Sequence, residues 1–107
     1  MKINIEAKNL DLNAPLKEYI NEKIGGISKF LSGIEKKSNE EAIAWVEVAR
    51  TTRHHHKGDV FYAECDLKLP HGSIRAEDEN YDIRVAIDNV RDKLRGEIEK
   101  YKDTKKS

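Results

Sequence analysis

Four groups of residues in this chain carry chemistry. His54, His55 and His56 stand consecutively in RHHHKGD, and imidazole is a common zinc ligand. Cys65 is the single thiol. Glu77, Asp78 and Glu79 are three adjacent carboxylates that could hold a divalent cation. The last third of the chain is dense in cations: Arg84, Arg91, Lys93, Arg95, Lys100 and Lys102, with Lys23 and Arg75 upstream. There is no nucleophile motif, no glycine-rich phosphate loop and no carboxylate pair with a reason to be buried. No catalytic residue is assigned, no cofactor is implied, and an enzyme is not expected.

The elements that position these groups follow from periodicity. Lys2 to Ala7 alternates, with Ile3, Ile5 and Ala7 on one face, and reads as a strand. Asn13 before Ala14-Pro15 is an N-cap followed by a first-turn proline. Leu16, Tyr19, Ile20, Ile24, Ile27, Phe30 and Leu31 then share one helical arc to about residue 31. Gly25-Gly26 inside that arc costs about 1 kcal/mol per glycine, so packing must carry the helix. Residues 32–40, SGIEKKSNE, read as a loop.

Residues 42–50 alternate as a second strand and residues 60–69 as a third, with Phe61, Ala63, Cys65, Leu67 and Leu69 on one face, the core side, and Val60, Tyr62, Glu64, Asp66 and Lys68 on the other. Leu69-Pro70-His71-Gly72 is a tight turn into a strand over 73–77. A long helix runs from about Asn80 to Lys102, its stripe formed by Ile83, Ala86, Ile87, Val90, Leu94, Ile98 and Tyr101. The acids Glu77, Asp78, Glu79 and Asp82 gather at its start, where the helix dipole favours negative charge. The order β-α-β-β-β-α predicts an α+β two-layer sandwich: a four-stranded sheet with a parallel first pair and both helices on one face. Residues 1–102 form one domain and 103–107 a fraying tail.

That frame constrains the chemistry. The histidines fall in a hairpin connection, with Lys57-Gly58-Asp59 as its turn. Adjacent strand residues point to opposite faces, so three histidines in a row cannot converge on one ion, and no metal site is assigned. Two readings stay open: a solvated tip, or a basic finger of Arg53, His54, His55, His56 and Lys57 that touches nucleic acid. Cys65 on a core-facing position is a packed thiol. Trp45 and Tyr62 read as a cross-strand pair on the other face.

Charge is sorted along the last helix. Arg84, Arg91, Arg95 and Lys102 fall on one flank of the apolar stripe, Lys93 and Lys100 on the other, with Asp88, Asp92 and Glu99 between them. Ordinary pairing along the helix, such as Asp88 with Arg91 and Glu99 with Arg95, accounts for the same residues. Lys23 lies inside the apolar arc of the first helix. If the helices pack side by side, it joins the basic flank of the last one into a strip suited to RNA phosphates.

The totals set bounds. With 107 residues, 20 Lys+Arg and 20 Asp+Glu, the chain has no formal net charge, so any nucleic-acid case rests on where the charges sit. One cysteine excludes an internal disulfide and fits a reducing compartment. The N-terminus has no apolar run, so neither a signal peptide nor a membrane partner is expected and the cytoplasm is the default.

YDIRVAIDNVRDKL followed by EKYK resembles the ending of the bacterial ribosome hibernation-promoting factors, also called ribosome-associated translation inhibitors. Asp82, Ile83, Ala86-Ile87-Asp88, Asp92-Lys93-Leu94, Lys100 and Lys102 carry the likeness, as do INIEAKNLDLNAPLKEYINEKI and GSIRAE. It extends over nearly the whole chain. The resemblance implies a short-form protein bound to the small ribosomal subunit in the mRNA and tRNA channel between head and body, keeping idle ribosomes silent by steric block. It passes rRNA binding to Lys23, Arg75, Lys93, Lys100 and Lys102, with Arg84, Arg91 and Arg95 as additions. No small-molecule substrate is implied, and the free protein is expected to be a monomer. The competing reading is a single-stranded RNA-binding or homodimerising module that uses the open sheet face around Trp45 and Tyr62.

Overall fold

Strand β1, Lys2–Lys8, turns Ile3, Ile5 and Ala7 toward the core and leaves Lys2, Glu6 and Lys8 in solvent. The computed structural model describes residues 1–55 and 58–106, without the side chains of residues 52–55, 105 and 106. Helix α1, Ala14–Gly25, starts where the sequence places it: Asn13 accepts a hydrogen bond from the Leu16 amide at 3.0 Å, and Pro15 occupies the first turn. The arc that reads as one helix to residue 31 is two segments. At the glycine pair the backbone tightens into a 3₁₀ segment, Gly26–Phe30, which still buries Ile27 and leads to buried Leu31. Gly25 also lies where a Cβ would stand 3.7 Å from Ile3.

The expected loop over 32–40 is mostly helix. Helix α2, Ser32–Ser38, ends at Asn39, whose left-handed φ of 60° closes it. Seven residues do not hold a helix by propensity alone. Ile34 packs against the core, the Ser38 hydroxyl donates to the Ile34 carbonyl at 2.9 Å, and Glu35 accepts from the Ala42 amide at 2.9 Å. Tertiary contact overrides a polar, glycine-containing sequence.

Strands β2, Ile43–His55, and β3, Gly58–Leu69, form a hairpin longer than the sequence suggests. Regular pairing stops at Arg50 opposite Phe61, the register shifts, and pairing resumes with His54 opposite Asp59 and His55 opposite Gly58. Gly58 and Asp59 are therefore strand residues rather than turn residues, and Gly58 has a φ of 115° that favours glycine. Strand β4, Gly72–Asn80, follows the two-residue Pro70-His71 turn and is longer than 73–77. Helix α3, Ile83–Lys106, begins after Asp82, whose carboxylate accepts from the Arg84 amide at 2.9 Å, and it continues past Lys102 through Lys106.

The sheet order is β1-β2-β3-β4, with β1 parallel to β2 and the other pairs antiparallel. The helices cover one face, giving the α+β two-layer architecture expected, with α2 as an added third helix. Ile20, Ile24 and Ile27 meet Ile87, Val90, Leu94 and Ile98 from α3 above Ala44, Val46, Val48, Ala63, Cys65 and Leu67. Each large aliphatic side chain buried this way contributes about 1.5–3 kcal/mol. Burial pushes the Cys65 thiol up to about 12, so it is a packed, unreactive group.

Candidate nucleic-acid interface

The seam between α1 and α3 is where the sequence-level strip forms. Tyr19 and Phe30 stand half-buried at its edge, and cations from both helices lie over their rings. The Arg84 guanidinium sits 4.7 Å from the Tyr19 centroid and the Lys23 ammonium 5.4 Å from it. Over Phe30 lie Arg95 at 4.8 Å, Lys29 at 5.3 Å and Lys102 at 6.0 Å. Such contacts are worth about 0.5–1 kcal/mol each at exposed sites, and they hold the cationic heads along the seam. Among the described residues, Lys23, Lys29, Arg84, Arg95 and Lys102 make no ion pair.

Two acids at the seam are already engaged. The Tyr19 hydroxyl donates to Asp88 at 2.6 Å, and that hydrogen bond, with desolvation, pushes the phenol up to about 12. Arg91 pairs with its neighbour Asp92 at 3.0 Å, so the expected Asp88–Arg91 pair is replaced by two other contacts. A groove of about 230 Å³ runs along the seam between Lys23, Lys29, Phe30, Arg91 and Arg95, with Gly26 leaving its floor open and Glu22 on its rim.

The other expected residues do not join this strip. Lys93 lies on the opposite flank of α3, donating to the Glu77 carbonyl at 2.7 Å and to Asp78 at 3.4 Å. Lys100 pairs with Glu97 at 3.4 Å. Arg75 stands on the uncovered sheet face, bound by Glu64, by Glu77 at 3.0 Å and by Asp66 at 3.3 Å, and its pKa is raised first by the Glu77 hydrogen bond. A helix has two flanks, and only one of them packs beside α1; Lys93 and Lys100, which the resemblance adds to the RNA-binding set, lie on the other. The side chains of Arg53, His54 and His55, and all of His56 and Lys57, lie outside the described residues.

Strand alternation also divides the acidic triplet. Glu77 and Glu79 face solvent while Asp78 turns back to Asn89 and Lys93, so the three cannot share an ion, and they lie in β4 rather than at the start of α3. Trp45 and Tyr62 are not partners: Trp45 opposes Asn4 and Asp66, and Tyr62 opposes Ala49 and Glu79.

Sequence reasoning missed Lys29, which lies outside the apolar arc, and read Tyr19 and Phe30 as core alone. The signal was present: Tyr19 and Phe30 are eleven residues apart, as are Arg84 and Arg95, so aromatic and cation recur in step on the two helices.

This arrangement can be set beside known proteins. The family model described as sigma 54 modulation protein / S30EA ribosomal protein matches residues 3–106. The chain belongs to that family. Within it, this S30EA member is 28% identical over 107 residues to a ribosome hibernation promoting factor of Pseudomonas putida, covering 100% of this chain and 92% of the relative. It is 29% identical over 102 residues to a ribosome hibernation promotion factor of Lactococcus lactis, covering 95% of this chain and 50% of that longer relative. Its fold is similar to that of the Protein Y N-terminal domain of Thermus thermophilus, with a TM-score of 0.75 at 22% identity, covering 94% of this chain and 99% of the other. Among the described residues, no helix of this S30EA member is long and apolar enough to cross a membrane.

Proposed function

We propose that this S30EA family member is a cytoplasmic ribosome hibernation factor that lies in the mRNA and tRNA channel of the small subunit and blocks it sterically. The observation that carries the reading is the α1–α3 seam: Lys23, Lys29, Arg84, Arg91, Arg95 and Lys102 along one side, with aromatic rings under five of them. Such a row complements the phosphates of a folded RNA, whose wide, shallow groove is recognised by shape and backbone. Family membership and the hibernation factors among its relatives supply the ribosome as the RNA. No bond is made or broken; the chain competes for space.

Co-sedimentation with small subunits tests this. Vacant subunits should carry the protein down, and subunits preloaded with mRNA and initiator tRNA should exclude it. Charge reversal at Arg84 and Arg95 should abolish pelleting, whereas reversal at Lys93 and Lys100 should leave most of it. Equal binding to vacant and preloaded subunits would refute channel occupancy, and indifference to the seam reversals would refute the interface.

A further inference from the structure

The uncovered sheet face has the opposite character from the seam. Register aligns Glu6, Glu47, Glu64 and Glu77 directly across all four strands. Like charges placed opposite one another weaken a sheet, so such a row stands only where cations or hydrogen-bond donors offset it; the Tyr62 hydroxyl donates to Glu64 at 2.8 Å and to Glu77 at 2.6 Å. The adjacent row reads Asn4, Trp45, Asp66 and Arg75. Together the two rows hold five carboxylates against one guanidinium, and Arg75 is spent on the β3–β4 half through Glu64, Asp66 and Glu77. On the β1–β2 half, Lys8 reaches Glu47 at 3.0 Å, while Glu6 makes no ion pair among the described residues.

Trp45 stands in the middle of this half, 52% exposed. It borders a shallow depression of about 470 Å³ lined by Asn4, Glu6, Trp45, Glu47, Glu64 and Asp66. An indole bordered by carboxylates on the side of the glutamate row, with Lys2 and Lys68 flanking its other side, is a cradle for a cationic side chain, since the ring face and the anions attract the same group. Nucleic acid is repelled by the same surface.

We infer that this face binds a lysine- or arginine-rich protein segment in extended form, laid across the strands with one cation over Trp45 and others on the glutamate row. The dimensions match. Four strands about 4.8 Å apart put the ends of the row about 14 Å from each other, and an extended peptide presents same-side residues about every 6.8 Å. Cations at every second position of such a segment therefore span the row, competing with Lys8 for Glu47 and with Arg75 for Glu64 and Glu77. Because the face lies on the side of the sheet away from the helices, the segment and an RNA on the seam can be held together, so the site does not depend on the seam reading.

Trp45 is the only tryptophan, so its fluorescence reports directly. The probe is an acetylated, amidated (Gly-Arg)4 peptide, titrated into the full chain. Saturable change in Trp45 emission is expected, weakened at least tenfold by E6Q/E47Q and unchanged by R84Q/R95Q. Calorimetry on W45A should show a similar loss. Binding to E6Q/E47Q as tight as to the unsubstituted chain would overturn the inference. So would a Trp45 response to oligouridylate instead of the peptide, or one that depends only on protein concentration and so marks a second copy as the occupant.

Discussion

If the seam binds RNA through its cations, salt dependence must count them. Each phosphate neutralised contributes about −0.7 to −0.9 to the slope of log affinity against log salt. With Arg91 engaged by Asp92, the five remaining seam cations at full engagement give a slope of about −3.5 to −4.5, a loss of roughly 130- to 500-fold between about 50 and 200 mM KCl. R84Q/R95Q keeps side chains able to rest on Tyr19 and Phe30 while removing two charges, and should flatten the slope by about 1.5. K93Q/K100Q should leave the slope unchanged, because those ammonium groups are engaged with Asp78, the Glu77 carbonyl and Glu97. The assay is equilibrium binding of fluorescently labelled protein to purified small subunits across a salt series at constant magnesium. A flatter slope for K93Q/K100Q with none for R84Q/R95Q would refute the assignment of the seam.

F30L keeps an apolar side chain but removes the ring beneath Lys29, Arg95 and Lys102; at about 0.5–1 kcal/mol per cation–π contact, urea unfolding should lose about 1.5–3 kcal/mol, and subunit affinity should fall two- to fivefold as the cationic heads lose their support. Stability should decline from about pH 9 to 12: Cys65 rises from 9.0 to about 12 and Tyr19 from 10.0 to about 12 on folding. Both groups lose protons first in the unfolded chain, so alkali favours unfolding; a urea midpoint constant from pH 8 to 11 would contradict this. L94A removes a side chain with no exposure from the middle of α3 and should cost about 2–5 kcal/mol in urea unfolding, with the larger value expected if the helix–sheet layer does not collapse into the gap.

Much of this fold is written in local pattern. The Asn13-Pro15 start, the alternation of β3 and the stripe of α3 each rest on neighbours a few residues apart, and each stands as read. The departures depend on contacts that no periodicity signals. Helix α2 exists because Ile34 reaches the core and Glu35 reaches Ala42. The β2 extension exists because His54 and His55 pair with Asp59 and Gly58 after a register shift that no periodicity signals. At the site, a helical wheel ranks residues by angle, but which flank meets α1 is a packing outcome. Lys29 therefore joins the strip, while Lys93, Lys100 and Arg75, which the resemblance adds, stand apart from it. Arg75 is the sharpest case: its position follows the family pattern, yet Asp66 opposite it, Glu64 on the same neighbouring strand and Glu77 two residues on along β4 surround it.

A chain with 20 cations and 20 anions can still present a strongly basic surface to RNA, because screening decides over what distance charges cancel. The shortest Cα dimension of this molecule is 17 Å, and the basic seam and the glutamate row lie on opposite layers. At physiological ionic strength the Debye length is about 8 Å, so phosphates on the seam feel the seam alone. Near 0.01 M it reaches about 30 Å, and both layers act on the same phosphate. The crossover, where the Debye length equals the thickness, falls near 0.03 M. Below that concentration the gain in subunit affinity on dilution should level off, whereas for a uniformly basic protein it would continue. E6Q/E47Q, by weakening the acidic layer alone, should restore the rise. A straight line through the lowest salt for the unsubstituted chain would mean that the two layers do not oppose each other, and that sorting of charge between helices and sheet has no bearing on how a neutral protein holds RNA.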